Sequence, residues 1–242
     1  SDSAARQSGA DSIITVEGSA PTPSSASAPE RAEPGATLVV SRDGFGDYDR
    51  LEEALEHAAG GTRIVVRPGV YEAPVTLDRC VEIVGEGPVQ QIVVTSTSAA
   101  TLLCSAPAAV VSGVHIRQLG ASQHRPGFAC HVTAGRPIFQ GCLFSSQTLS
   151  TVVVDGPAEP TFRYCTFYDS PEAGIYFWRQ AGGVVDNCQI TGMSKAAIGV
   201  AEKARPTVRD TILKESARGL NVTRGGGGSY ERCAMVNNSR EG

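Results

Sequence analysis

The chain reads as an all-β protein: a single-stranded right-handed parallel β-helix with three short strands per coil, closed at its N-terminal end by an amphipathic helix. Three observations predict this. The block "PTFRYCTF" (160–167) has relatives in "PIFQGCLF" from Pro137, "GVVDNCQI" from Gly183, "PTVRDTIL" from Pro206 and "GSYERCAM" from Gly228, at successive offsets of 23, 23, 23 and 22 residues. A fixed period in that range marks a solenoid. The repeats themselves are β-branched and aromatic runs punctuated by Gly and Pro. One helical pattern precedes them and none lies inside them.

Taken in chain order, residues 1–34 are rich in Ser, Ala, Pro and Gly, with "SAPTPSSASAPERAEPG" as the clearest part. Such a segment buries too little apolar surface to order itself, so it reads as a flexible linker. Only "SIITV" (Ser12 to Val16) has strand character. A linker joins something, so the chain is expected to be a piece of a longer protein. Residues 35–242 form the β-helix. "TLVVS" opens it as a strand, and "DYDRLEEALEHAAGG" follows as the helix, with Leu51, Ala54, Leu55 and Ala58 on one face. Asp49 followed by Glu52 resembles a capping box, and Gly60-Gly61 stops the helix. "TRIVVRPG", "PVTLD" and "VEIVGEG" are the first coil strands. "AVVSGVHI" matches "PIFQGCLF" at an offset of 28, so about five extra residues lie in "RQLGASQHRPG". A solenoid extrudes such an insertion as a loop, often on a functional face.

The period lets the inward ladders be written out, coil on coil at about 4.8 Å. One runs Phe139, Phe162, Val185, Val208, Tyr230, and a second Phe144, Phe167, Ile190, Leu213, Met235. The other strand supplies Val152, Ile175, Ile198, Leu220 and, two residues on, Val154, Phe177, Val200, Val222. A fourth is Val114, Cys142, Cys165, Cys188, Thr211, Cys233. Small apolar and hydroxyl groups substitute for cysteine in that ladder, so the cysteine is packing. The seven cysteines form no C-x-x-C pair and lack metal-ligand spacing. All seven are expected inside as free thiols, which suits a reducing compartment, and the cytoplasm is the expected location.

The block "DGFGDYDRLEEALEHAAGGTRIVVRPGVYEAPVTLDRCVEIVGEG" resembles the start of pectin-lyase-like right-handed β-helices, pectin methylesterases included. "PTFRYCTFYDSPEAGIYFW" and "PTVRDTILKESARGLNV" resemble the generic repeats of non-catalytic members. Those include the substrate-binding β-helix of F-box proteins and bacterial arms fused to kinase or AAA ATPase domains. The resemblance spans residues 36–242 and implies the fold far more than a function. It implies what a catalytic member needs: two aspartates, oxyanion-holding glutamines and an arginine from a "GRPW"-like segment. "GRPIF" (135–139) offers Arg136, yet no aspartate lies between Asp78 and Asp155, so Arg136 reads as a turn residue.

Other chemistry fares no better. Calcium wants six to eight oxygens, whereas the best charge ladder, Gln140, Arg163, Asp186, Arg209, Glu231, alternates in sign and neutralises itself. Gly225 to Gly228 lack a following Lys-Ser/Thr, so they read as a corner and no phosphate loop. No metal site or cofactor is expected. A net charge of −4 offers nothing to nucleic acid, and no apolar run approaches a membrane span. The outward residues Tyr168, Tyr176 and Trp178 beside Arg179 are the candidate binding patch, with Gly199 and Ala201 leaving the rings open-sided. Two functions fit it. The first is a non-catalytic cytoplasmic interaction arm of a multidomain protein, with a protein partner or fused domain. The second is a secreted carbohydrate-active enzyme or sugar-binding module. The last repeat is expected to leave Tyr230, Cys233 and Met235 bare, inviting end-to-end self-association.

Overall fold

In the computed structural model, residues 35–120 and 126–240 are described. The predicted linker 1–34, its "SIITV" segment and residues 121–125 of the insertion, His124 among them, lie outside the described residues. Among the described residues, twenty-four short strands pair exclusively in parallel into three sheets of nine, eight and seven strands, here sheets A, B and C. Each complete coil contributes one strand to A, then B, then C, so an interior strand's hydrogen-bonded neighbours are the same strand one coil earlier and one coil later. The first described coil supplies only an A strand before the helix, and the last only A and B strands. The solenoid has about eight coils.

The register reproduces the predicted ladders. Phe139, Phe162, Val185, Val208 and Tyr230 are successive partners in sheet A. Phe144, Phe167, Ile190, Leu213 and Met235 are successive partners in sheet B. Phe139 stacks on Phe162 at 5.1 Å and Phe144 on Phe167 at 4.9 Å, and the two stacks meet edge to face. Offset and edge-to-face pairs of this kind add about 0.5–1.5 kcal/mol beyond their burial. The 28-residue offset is also present: Leu102 pairs with Cys130 and His115 with Leu143. Because Val93 pairs with His115 and Cys130 with Val152, both 22 apart, the insertion sits between strands His115–Gln118 and Phe128–Val132.

Backbone conformation explains the cysteine ladder. Gly113, Gly141, Tyr164, Asn187, Asp210 and Arg232 all adopt positive φ, between 50° and 64°. Each ends a sheet A strand and bends the chain toward sheet B, which turns the next side chain inward at a tight corner. Those next residues are Val114, Cys142, Cys165, Cys188, Thr211 and Cys233. The Sγ atoms of Cys165 and Cys188 donate to the carbonyls of Arg163 and Asp186, both at 3.3 Å, and Thr211 Oγ1 donates to Arg209 at 2.8 Å. A small side chain is what this corner accepts, and where it carries a donor a carbonyl two residues back takes it up.

Two expectations need correction. The helix spans only Leu51–His57, its N-cap is Arg50, and no side chain caps it, so Asp49 and Glu52 form no capping box. Glu52 is instead hydrogen-bonded to Arg50, at 2.6 Å from Nε. The helix owes its place to packing: Leu51, Ala54, Leu55 and Ala58 are buried against the first strands of sheets A and C. Nor are all seven thiols inside. All are unpaired, but Cys80 is exposed and Cys233 half-buried. Cys80 lies at the bend before Val81, outside the ladder. Among the described residues no helix is long and apolar enough to cross a membrane.

Candidate functional site on the outer face of sheet C

Strands Val152–Asp155 and Ile175–Trp178 are neighbours in sheet C, with Val153 opposite Tyr176 and Asp155 opposite Trp178. Val152, Val154, Ile175 and Phe177 point inward and are fully buried, so alternation turns Tyr176, Asp155 and Trp178 outward. His131, one coil earlier, pairs with Val153 and joins the same face. Arg179 follows Trp178 in the left-handed region, φ 50°. That turn swings its guanidinium back one coil onto Asp155: Nε donates to Oδ1 at 2.6 Å and Nη2 to Oδ2. The same guanidinium lies over the Trp178 ring, 4.7 Å from its centroid.

Electrostatics follow from these contacts. The Arg179 hydrogen bonds hold the Asp155 carboxyl below the usual carboxylate range, so Asp155 is ionised although it is only 6% exposed. His131 Nε2 lies 3.7 Å from Asp155 Oδ2, beyond hydrogen-bond reach. Burial lowers the His131 pKa more than Asp155 raises it, so the ring is neutral at pH 7. His131 Nε2 and Trp178 Nε1 are both buried without a hydrogen-bond partner. One of these orphaned atoms, His131 Nε2, thus sits beside an ionised carboxylate. Tyr176 lies flat against Gly199 of the next coil, where a Cβ would come within 2.6 Å of its ring. Beyond Trp178, the corners of the next coils form a shallow groove of about 470 Å³ lined by Arg179, Gln180, Glu202, Lys203 and Arg224.

The predicted patch therefore divides. Tyr176, Trp178 and Arg179 share the outer face of sheet C, whereas Tyr168 belongs to sheet B. Its hydroxyl is bonded to His115 Nε2 at 3.0 Å, and the same nitrogen lies 3.1 Å from Ser145 Oγ. Gly199 does not leave Tyr176 open-sided but serves as the bed on which its ring rests. Asp155 and His131 were missed by sequence reasoning. The signal was there in spacing, since His131, Asp155 and Arg179 are each 24 residues apart, one coil plus two residues in the first step and one coil plus one in the second. Arg136 pairs with Glu159 at 2.7 Å and is a surface turn residue. The charge ladder neutralises itself as expected, with Asp186 3.0 Å from Arg209 and 3.7 Å from Arg163. No group of three metal-binding side chains occurs among the described residues.

Comparison with known proteins agrees with this architecture. The family model described as "Right handed beta helix region" matches residues 103–242. No curated protein matches the sequence. Among solved structures, pectin methylesterase from Aspergillus niger is similar, with a TM-score of 0.62 and 15% identity over 86% of this chain and 87% of that one. Pectin methylesterase from carrot has a TM-score of 0.63 and 15% identity over 85% of each chain. The enzyme from Erwinia chrysanthemi has a TM-score of 0.58 and 13% identity, covering 79% of this chain and 81% of its own. At such identities the likeness is one of fold.

Proposed function

The chain belongs to the right-handed β-helix family, and from that premise we propose that it is a carbohydrate-recognition module binding an extended glycan across the outer face of sheet C. The observation that carries this reading is the cluster of Tyr176, Trp178, Arg179, Asp155 and His131 on one face. Aromatic rings with polar edges offer an apolar body to the C–H face of a sugar and a polar tip to its hydroxyls. The Arg179-held carboxylate accepts hydrogen bonds from hydroxyls. Asn221 and Thr223 continue the polar surface two coils on. The reading is recognition: Asp155 already has both oxygens engaged by Arg179.

Trp178 is the only tryptophan, so its emission reports directly on this face. Titration with polygalacturonate, methylated pectin, and cello- and chito-oligosaccharides should quench or shift it with at least one of them. Trp178→Ala and Tyr176→Ala should abolish retardation by the same polymer in affinity electrophoresis. Unchanged emission and mobility across all four would overturn the proposal. The second reading, a protein-binding arm of a cytoplasmic multidomain protein, is favoured by one observation: seven cysteines, all unpaired. It predicts that the same two substitutions break a protein complex while no glycan binds.

A further inference from the structure

We infer a second ligand site, on the outer face of sheet B where its first coils turn into sheet C, that takes a neutral sugar ring between Glu72, Thr95 and Arg117. These three residues form one outward column: Glu72 pairs with Thr95 and Thr95 with Arg117. Glu72 and Thr95 line a groove of about 340 Å³ whose other walls include Pro74, Ser96, Ser98 and Leu119. Thr95 is 5% exposed, yet its Oγ1 has no hydrogen-bond partner. Further along the column the hydroxyls are engaged: Ser145 and Tyr168 by His115, and Thr191 by Glu215 at 3.0 Å. Thr95 alone in that series is left with an unmet bond, its oxygen buried in the wall of the groove that the residue lines.

The charges at either side are also unmatched. Elsewhere in the solenoid, opposite charges on adjacent coils pair, as in Arg63–Glu82, Arg67–Glu86 and Arg224–Glu202. Among the described residues the Glu72 and Arg117 side chains form no ion pair or hydrogen bond; they lie two coils apart, about 10 Å along the column. A divalent cation would meet one carboxylate and a repelling guanidinium, and a phosphate would meet a repelling carboxylate. A sugar meets neither penalty. Hydroxyls on opposite edges of its ring donate to Glu72 and accept from Arg117, one between them meets Thr95, and Pro74 and Leu119 cover its C–H surface. The rim is fixed for this: Ser96 Oγ accepts from Ser98 N at 2.9 Å, and Gln118 Nε2 donates to Ser98 O at 2.8 Å.

The test is NMR titration of the whole chain with glucose, galactose and N-acetylglucosamine, and with glutamate and inorganic phosphate as contrasts. At least one sugar should shift the amides of Thr95, Ser96, Ser98 and Leu119 saturably, with Kd on the order of 1 mM. Thr95→Val, nearly isosteric, should weaken that binding about tenfold or more, and Glu72→Gln and Arg117→Gln, both exposed, should do likewise. Trp178→Ala should leave it unchanged, which separates this site from the sheet C face. The inference is overturned if no sugar moves these amides, if all three substitutions leave binding intact, or if glutamate or phosphate binds there in preference to every sugar.

Discussion

Acidification should destabilise this protein through His115. The ring is only 6% exposed, and its Nε2 sits between Ser145 Oγ and Tyr168 OH. Burial, helped by the nearby Arg117, lowers its pKa from 6.5 to about 4. The unfolded chain therefore takes up the proton first. Stability from the neutral ring is complete above the unfolded value and is lost as pH falls from 6.5 toward 4. At about 1.36 kcal/mol per pKa unit, the full loss is about 3 kcal/mol, of which about 2 kcal/mol has gone by about pH 5. Urea unfolding at about pH 7.5, 6 and 5 measures this. His115→Gln should be less stable than the parent at about pH 7.5, by about 1–3 kcal/mol for broken hydrogen bonds. Its stability should also fall with pH less steeply, by the same ~2 kcal/mol at about pH 5. His131, also lowered by burial, is present in both proteins and cancels in the comparison. Parallel pH profiles for the two proteins, or an NMR titration of His115 centred near its ordinary value, would refute the reasoning.

Two further outcomes are expected. In native protein a thiol reagent should modify Cys80 and Cys233 quickly, with Cys104, Cys130, Cys142, Cys165 and Cys188 reacting only after denaturation. Simultaneous reaction of all seven would contradict the packing. Phe162→Ala removes a fully buried ring that stacks on Phe139 and meets Phe144 and Phe167 edge to face. It should cost about 3–5 kcal/mol in denaturant unfolding. A loss below about 1 kcal/mol would mean that the coils close over the gap.

The 22–23-residue period determined by itself that the chain coils, which residues share a ladder, and where the five-odd extra residues fall. It could do so because in-register parallel pairing makes spatial neighbourhood a function of sequence offset alone. Phe139 and Phe162 stack for no other reason than being one period apart. The helix was legible from its apolar face, but its first turn was not, because packing of Leu51 and Leu55 outweighed the capping preference read at Asp49. What the offset could not say is where a side chain goes after it leaves the strand. Tyr168 and Tyr176 both alternate outward, yet one reaches back to His115 on sheet B and the other lies down on Gly199 of sheet C. Arg179 reaches Asp155 only because its left-handed backbone reverses the side chain's direction. Thr95 is left unpartnered although Ser145 and Tyr168, in the same column, find His115. Strand register is one-dimensional and can be counted in the sequence; side-chain direction at a corner depends on φ, ψ and the shape of the neighbouring coils, and only the folded structure decides it.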